Sequence, residues 1–267
     1  MNWQQLDSLS YQNRLKQLPP EHKLLFGCAL LLLVLLGHAL VQLLVFVWIG
    51  VWVIGYARIP VRSYLLFLLL STAFFVAGLP ALLIDWVKAG VDLQNVELLA
   101  AWKVGSYVVY ISSAALGKVY ILFWRTMASL SCFAFILFTV PFAEILQVLR
   151  RIGVPSILTD LLMIMYRFIF VLLQTSYQLW IAQRSRGGHQ SFKALLRDAG
   201  MLAAQLFIRA MRKYEALYKG MSARGFADSF DVLSLRSHVR SPRYERESIA
   251  GFIMLILLEG WTGGWWF

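Results

Sequence analysis

The sequence predicts an all-α polytopic membrane protein, a bundle of about five to six transmembrane helices with two long amphipathic helices on the cytoplasmic side. Three observations carry this prediction. Of the 267 residues, 60% are hydrophobic and only 15% are charged, which is too apolar for a soluble protein of this size. Apolar runs long enough to cross a bilayer alternate with short polar stretches. A long basic segment with helical periodicity lies between the last two apolar regions.

Composition divides the chain into four parts. They are a cytoplasmic N-terminal segment at 1–23, transmembrane helices at 24–148, a cytoplasmic domain of two long helices at 149–233, and a link with a C-terminal membrane segment at 234–267. The first part is polar and has no small-residue cleavage site behind a short apolar core, so we do not expect a cleaved signal peptide.

The first apolar run is too long for one membrane crossing. Residues 24–56 would form a helix of about 50 Å against a hydrocarbon core of about 30 Å, which favours a hairpin that bends at Gly37 and His38. A further span follows at 61–85. Residues 87–103 form a less basic loop, with Trp86 and Trp102 suited to the membrane interface.

The later apolar regions leave more than one topology open. Residues 104–148 must cross an odd number of times if Arg150 and Arg151 belong to the cytoplasmic side. One crossing is economical, with 104–116 along or dipping into the outer leaflet, and three crossings remain an alternative. Residues 248–258 begin a last apolar segment that is short for a span.

Charge is concentrated in one segment. Residues 147–247 carry 16 Lys and Arg against 7 Asp and Glu, a surplus of nine out of the net charge of +11. Nucleic acid is one partner for such a segment, but the excess of Lys and Arg in cytoplasmic loops of membrane proteins explains it better. We therefore expect a lipid bilayer and no nucleic acid.

Two long helices occupy this basic segment. The first runs from about Ser156, the expected N-cap, to a stop at Gly187 and Gly188, and the second from about Ser191 to Gly225. Each has roughly 30 residues and a length of about 45 Å. The second carries a stripe of apolar residues on one face. These residues are Leu195, Leu202, Phe207, Met211 and Leu217.

Both helices end in a small residue, an arginine and a glycine. The two endings are Ser185-Arg186-Gly187 and Ala223-Arg224-Gly225. A cation is favoured at a helix C-terminus. An arginine there extends beyond the end of the helix, where its planar guanidinium can insert into a partner and donate hydrogen bonds in fixed directions. An ordinary basic cap before glycine is the alternative for one ending, and two such endings on consecutive helices make it less favoured.

Catalytic and metal-binding motifs are missing from the sequence. There is no phosphate-binding loop, no His-Glu-x-x-His and no Cys-x-x-Cys, and the four histidines are scattered over separate segments. Cys28 and Cys132 lie in apolar runs, where they are expected to face lipid or pack as small residues. We therefore predict no enzymatic activity, no directly bound cofactor and no metal site.

Several motifs in order resemble a known family. They are Phe138-Thr139-Val140-Pro141-Phe142-Ala143-Glu144-Ile145-Leu146, then Leu149-Arg150-Arg151-Ile152-Gly153-Val154-Pro155, Tyr166-Arg167-Phe168 and the two arginine endings. Over about residues 125–230 the chain looks like the transmembrane T component of energy-coupling factor (ECF) transporters, closest to the CbiQ branch that serves cobalt or nickel uptake. Ser185 departs from the usual alanine, a small-for-small change.

The resemblance implies a coupling subunit of an ATP-binding-cassette importer. Two cassette ATPases of the CbiO or EcfA type would use ATP, and a CbiM-type membrane protein, with or without a CbiN-type protein, would bind the substrate. The domain at 149–233 would then be the coupling domain, with Arg186 and Arg224 each engaging one ATPase subunit. Their neighbours Ser185, Gly187, Ala223 and Gly225 would shape the close approach, and the supporting motif residues would be Pro141, Glu144, Gly153, Pro155, Tyr166 and Arg167.

Three alternatives remain at this stage. Within the family, the chain could serve a vitamin importer. Outside it, a self-sufficient carrier would place ionisable residues or broken helices at mid-membrane, where only Lys118 and Arg125 are candidates. A membrane enzyme acting on lipid phosphates would need clustered acids, a metal site or an activated nucleophile, and the sequence shows none of these.

Overall fold

A computed structural model describes residues 9–83, 85–88, 98–104, 107–187, 191–225 and 241–263. Eight α-helices and one small antiparallel sheet have both ends within these residues, so the all-α polytopic fold class is confirmed with the sheet as an addition. The helices are α1 (Pro20–Leu36), α2 (Ala39–Val51), α3 (Val61–Leu83), α4 (Ser113–Thr139), α5 (Phe142–Arg151), α6 (Ser156–Ser185), α7 (Phe192–Ser222) and α8 (Pro242–Gly263).

The chain separates into two compact units. Unit 1 comprises Met1–Pro141 with Arg236–Phe267, and unit 2 comprises Phe142–Leu235. In unit 1 a 3₁₀ turn, Arg14–Gln17, precedes α1, and a π-helical turn, Trp52–Tyr56, extends α2. The bend predicted at Gly37 and His38 is present, because α1 ends at Leu36 and α2 begins at Ala39.

The core of unit 1 lies between α1, α2 and α4. Residues of all three helices are fully or almost fully buried there, and they are Phe26, Leu30 and Val34, Val41, Val45 and Ile49, and Cys132, Phe135 and Phe138. The helices come close at Gly27, where a Cβ atom would lie 2.6 Å from the Ile136 side chain. The Tyr64 and Ser131 hydroxyls share a hydrogen bond of 2.6 Å and tie α3 to α4. Cys28 is exposed and Cys132 is buried, as the sequence predicts.

Two buried polar side chains cap the C-terminus of α4. Lys23 Nζ donates to the Thr139 carbonyl at 3.1 Å, and Asn13 Nδ2 donates to the Phe138 carbonyl at 3.1 Å. The last carbonyls of a helix have no partner within the helix and carry the negative end of its dipole. Lys23 and Asn13 therefore satisfy two carbonyls that are left open because the helix stops before Pro141.

A small sheet follows α3. Its strands are β1 (Asp85–Lys88), β2 (Leu98–Val104) and β3 (Tyr107–Ser112), antiparallel in the order β1-β3-β2. Trp86 and Trp102 are both paired in register with Val109. The stretch that the sequence assigns to an interfacial loop is therefore ordered as strands on both sides of residues 89–97, which lie outside the described residues.

Among the described residues, four helical segments are long and apolar enough to cross a membrane, and they are Ala39–Tyr56, Val61–Leu83, Ala115–Thr139 and Ser156–Ser185. Large apolar side chains of α3 are exposed, as expected of a lipid-facing helix, with Phe74 at 84%. The protein is an integral membrane protein. One such segment within 104–148 agrees with the single crossing. The fourth segment is α6, so the cytoplasmic placement of that helix stays a prediction.

Unit 2 is built from α5, α6 and α7. In α5 Glu144, Leu146 and Val148 are buried, while Arg150 and Arg151 lie in its last turn. Gly153 turns the chain into α6 with a φ of +104°, a backbone conformation that favours glycine. The ring of Phe142 stacks on that of Tyr166 at 4.7 Å between centroids, which packs α5 on α6.

Candidate functional site

The first arginine ending closes α6 with a tight turn. The Arg186 N–H donates to the Gln183 carbonyl at 3.1 Å, and the Gly187 N–H donates to the Arg184 carbonyl at 3.2 Å. Gly187 has a φ of +78°, the left-handed conformation that ends many helices. The predicted end of this helix at Ser185 and the stop at glycine are confirmed.

The second ending repeats this geometry. The Arg224 N–H donates to the Met221 carbonyl at 3.0 Å, the Gly225 N–H donates to the Ser222 carbonyl at 3.1 Å, and Gly225 has a φ of +70°. At its other end α7 is capped by Ser191, whose hydroxyl accepts from the Ala194 N–H at 3.3 Å. Each arginine is therefore the last residue before a left-handed glycine, where the chain leaves the helix axis.

The prediction that Ser156 is the N-cap of α6 is wrong. Pro155 occupies that position with a ψ of 136°, and its carbonyl accepts from the Leu158 and Thr159 N–H groups at 3.1 and 3.4 Å. Proline is tolerated at this position because it lacks only a backbone N–H, and the N–H groups at the start of a helix have no acceptor within the helix. Ser156 is the first helical residue, and its carbonyl accepts from the Thr159 hydroxyl at 2.8 Å.

Helices α6 and α7 are antiparallel. Gln183 Nε2, near the end of α6, donates to the carbonyl of Asp198, near the start of α7, at 3.1 Å. At the opposite end a groove of about 600 Å³ is lined by the early residues of α6, including Arg167, and by the last turns of α7, including Arg224. Arg186 and Arg224 therefore lie at opposite ends of a helical hairpin whose helices have 30 and 31 residues.

Both terminal guanidinium groups are exposed, and neither makes a hydrogen bond or ion pair with another described residue. Arg184, two residues before Arg186, is different, since its guanidinium lies over the Trp180 ring at 5.3 Å from the centroid. The small residue before Arg186 is also paired, because the Ser185 hydroxyl donates to the Ile181 carbonyl of its own helix at 3.0 Å. The arginines are free to bind an acidic or carbonyl group outside the chain.

The supporting motif residues set the path of the chain. Pro141 separates α4 from α5, Gly153 and Pro155 shape the turn into α6, and Tyr166 stacks on α5. Glu144 is buried, with 6% of its surface exposed. Arg167 is exposed and lines the groove with Arg224, a proximity that sequence spacing does not reveal.

Exposed apolar surface is extensive on the hairpin, and no residue of α7 is buried. Of the predicted stripe, Phe207 has 66% of its surface exposed and Met211 has 43%. The predicted α-helix is confirmed, but only part of its apolar stripe is covered by the described part of the chain, since Leu202 and Leu217 are half-buried while Leu195, Phe207 and Met211 are exposed. Within that part, no group of three or more His, Cys, Asp or Glu side chains is placed to hold a metal ion.

The fold and the two endings define a polytopic membrane protein with an exposed basic helical hairpin. The family described as CbiQ, cobalt transport protein, matches residues 12–232. The chain therefore belongs to the CbiQ cobalt transport protein family, the CbiQ branch of the T components of ECF transporters.

Relatives from bacteria and archaea agree with this assignment. The cobalt transport protein CbiQ of Salmonella typhimurium is 26% identical over 85% of this chain and 99% of its own length. An uncharacterized protein of Methanocaldococcus jannaschii is 28% identical over 85% of this chain and 82% of its own. A putative fused cobalt transport protein CbiMQ of Methanocorpusculum labreanum is 27% identical over 96% of this chain and 41% of its own.

Proposed function

We propose that this chain is the coupling subunit of an ECF-type importer, most closely one for cobalt or nickel. It transmits ATP-driven movement of two cassette ATPases to a substrate-binding membrane subunit, and itself neither hydrolyses ATP nor binds a cofactor. The observation that carries the proposal is the pair of matching endings, with an exposed arginine and a left-handed glycine at each end of the α6–α7 hairpin.

Each ending presents one cation in a fixed direction. A guanidinium pairs strongly with carboxylates and carbonyl groups, and the small residues beside it let a partner backbone approach closely. Arg186 engages one ATPase subunit and Arg224 the other. Because the hairpin is antiparallel, the two contacts lie far apart, which suits two separate subunits.

The substrate-binding partner is a CbiM-type membrane protein. The relative described as a fused CbiMQ supports this assignment, since fusion joins the two proteins in one chain. A CbiN-type protein is a further candidate. The exposed apolar side chains of α6 and α7, such as Ile169 and Phe207, offer a face on which such a partner slides while the arginine ends stay anchored.

The site of action is the cytoplasmic membrane of a prokaryote. The relatives named above come from bacteria and archaea, and the surplus of basic residues at 147–247 favours a cytoplasmic location for the hairpin. The N-terminus lies on the same side, since Arg14 precedes α1 and Arg58 follows α2 of the same helical hairpin.

Affinity co-purification with uptake of radioactive cobalt tests the proposal. The tagged chain is purified in mild detergent from its own membrane, as wild type and as Arg186→Ala with Arg224→Ala. A matched double variant, Arg197→Ala with Arg212→Ala, removes two exposed arginines from the body of α7. We expect two ATPase subunits with the wild type and the control, and loss of ATPase binding and of uptake in the first double variant.

Normal uptake by a well-expressed Arg186→Ala, Arg224→Ala protein would refute the coupling role of the arginines. The single variants add a second readout, since each should weaken only one of the two contacts. If the wild-type chain alone, reconstituted in vesicles, takes up cobalt, the protein is a carrier and not a coupling subunit.

A further inference from the structure

A polar cavity in unit 1 holds three cations that the proposed function does not use. The cavity has a volume of about 800 Å³, and Arg14, Lys16 and Arg58 line it, together with Ser241 and Pro242 at the start of α8. We propose that it binds the phosphate headgroup of one anionic phospholipid.

The described residues leave the charge of the cavity uncompensated. Arg14, Lys16 and Arg58 are exposed, and none of the three makes an ion pair or side-chain hydrogen bond with another described residue. No acidic side chain among the described residues lines the cavity. Nearby on α8, Glu247 is engaged by Arg243 at 2.9 Å and does not reach it. Three cations around one space, with no acid among the described residues that line it, favour the binding of an anion there.

The backbone near the cavity is strained at Arg58 and is tied to the segment that carries Arg14. Arg58 has a φ of +54°, and it is the one residue other than glycine with a positive φ in the described ranges. Such a conformation is strained for a side chain with a Cβ atom and persists only where the surroundings enforce it. The Arg14 N–H donates to the Ala57 carbonyl at 3.3 Å, which fixes the segment before α1 against the segment after α2.

Position favours a lipid over a free phosphate ion. Arg58 follows directly on the candidate span Ala39–Tyr56, and the next candidate span starts at Val61, so the cavity lies at the end of two membrane-spanning helices. This is the level at which lipid phosphates lie. The first turn of α8, which also carries Glu245, adds the positive end of a helix dipole at the same place.

Lipid binding to the full-length chain tests the proposal. Native mass spectrometry counts dioleoylphosphatidylglycerol bound to the protein in mild detergent, against dioleoylphosphatidylcholine with the same acyl chains and no net charge. We expect one retained phosphatidylglycerol, and an affinity about fivefold weaker for each of Arg14→Gln, Lys16→Gln and Arg58→Gln.

Arg62→Gln is the matched control. Arg62 is exposed and four residues from Arg58, but it does not line the cavity. Arg58→Gly separates binding from folding, because glycine relieves the positive φ. This variant should unfold at an equal or higher temperature than the wild type and still bind the lipid about fivefold more weakly.

Three results would overturn the proposal. One is equal retention of the two lipids. Another is an affinity of Arg62→Gln for phosphatidylglycerol as low as that of Arg58→Gln, which would show that the lipid is held by surface charge in general and not by this cavity. The third is displacement of phosphatidylglycerol by an equal concentration of sn-glycerol 3-phosphate, which would show a site for free phosphate esters.

Discussion

Gly251 of α8 lies directly against the indole ring of Trp48 of α2. A Cβ atom added at Gly251 would overlap the ring, far inside van der Waals contact. The missing side chain therefore sets how closely α8 packs on the α1–α2 hairpin.

Replacing Gly251 by alanine should separate these two helices. We expect Gly251→Ala to lower the free energy of unfolding by about 1–3 kcal/mol, the usual cost of overpacking. Thermal unfolding of the protein in detergent measures it. Gly260→Ala on the same helix is the control, because nothing lies within 4 Å of its Cβ position. Trp48→Leu should restore stability to Gly251→Ala, and its failure to do so would contradict the close contact.

The cap on α4 gives a second prediction. Lys23 is 2% exposed and donates to the Thr139 carbonyl, so Lys23→Met removes a charged hydrogen bond at a helix C-terminus while keeping most of the side-chain volume. We expect a loss of about 1.5–3 kcal/mol, since hydrogen bonds from charged groups are worth that much. Lys193→Met, at an exposed lysine of α7, should leave the unfolding midpoint unchanged. Equal stability of the two variants would show that Lys23 does not hold the end of α4.

The left-handed glycine after Arg224 gives a third prediction. Gly225 has open space around its Cβ position, so Gly225→Ala perturbs only the backbone, at about 1–2 kcal/mol. If the hairpin ends bind ATPases, this variant should weaken ATPase co-purification several-fold. Gly225→Asn should weaken it less, because asparagine tolerates the left-handed conformation. Gly200→Ala, inside α7 and also unobstructed, is the control, and a loss of ATPase there would contradict the interpretation.

Acid sensitivity of α8 gives a fourth prediction. The hydrogen bond from the Arg243 guanidinium lowers the pKa of the Glu247 carboxyl in the folded protein, with a second contribution from the Tyr56 hydroxyl. Because the folded pKa is the lower one, the stabilisation is fully present above the unfolded value of about 4.3 and is lost as pH falls through the folded value.

The effect should be small because Arg243 is 75% exposed and solvent screens the pair. Unfolding midpoints between pH 6 and 3 should fall less steeply for Glu247→Gln than for the wild type. Glu215→Gln, at an exposed carboxylate of α7, should follow the wild type. Identical slopes for all three proteins would show that the pair does not contribute.

Helix ends were predictable from the sequence where glycine decides them. The bend at Gly37 and the ends of α6 and α7 depend on backbone properties that are local to those residues, whereas the break at Pro141 inside the region predicted as 104–148 was not predicted. The start of α6 was not predicted correctly, since a serine is the usual cap and only the structure shows that Pro155 takes that place. The start of α8 at Pro242, six residues before the apolar segment, reflects a proline in the first turn and the Arg243–Glu247 pair.

The sheet and the relation between the helices depend on long-range pairing. Residues 107–112, with their β-branched and aromatic side chains, carry a strand signal that the overall hydropathy obscures. The two arginine endings could be found by inspection, but their placement at opposite ends required the antiparallel contact between Gln183 and Asp198. No local pattern encodes such a contact.

Two antiparallel helices of nearly equal length are related by an approximate twofold rotation about an axis perpendicular to both. The repeated endings of α6 and α7 obey this relation, since the rotation carries Arg186 and Gly187 to the positions of Arg224 and Gly225, and the reverse. A single polypeptide thus imitates a symmetric dimer on one surface. Such a surface can meet two copies of one partner in equivalent ways, so one chain is enough for a pair of identical subunits.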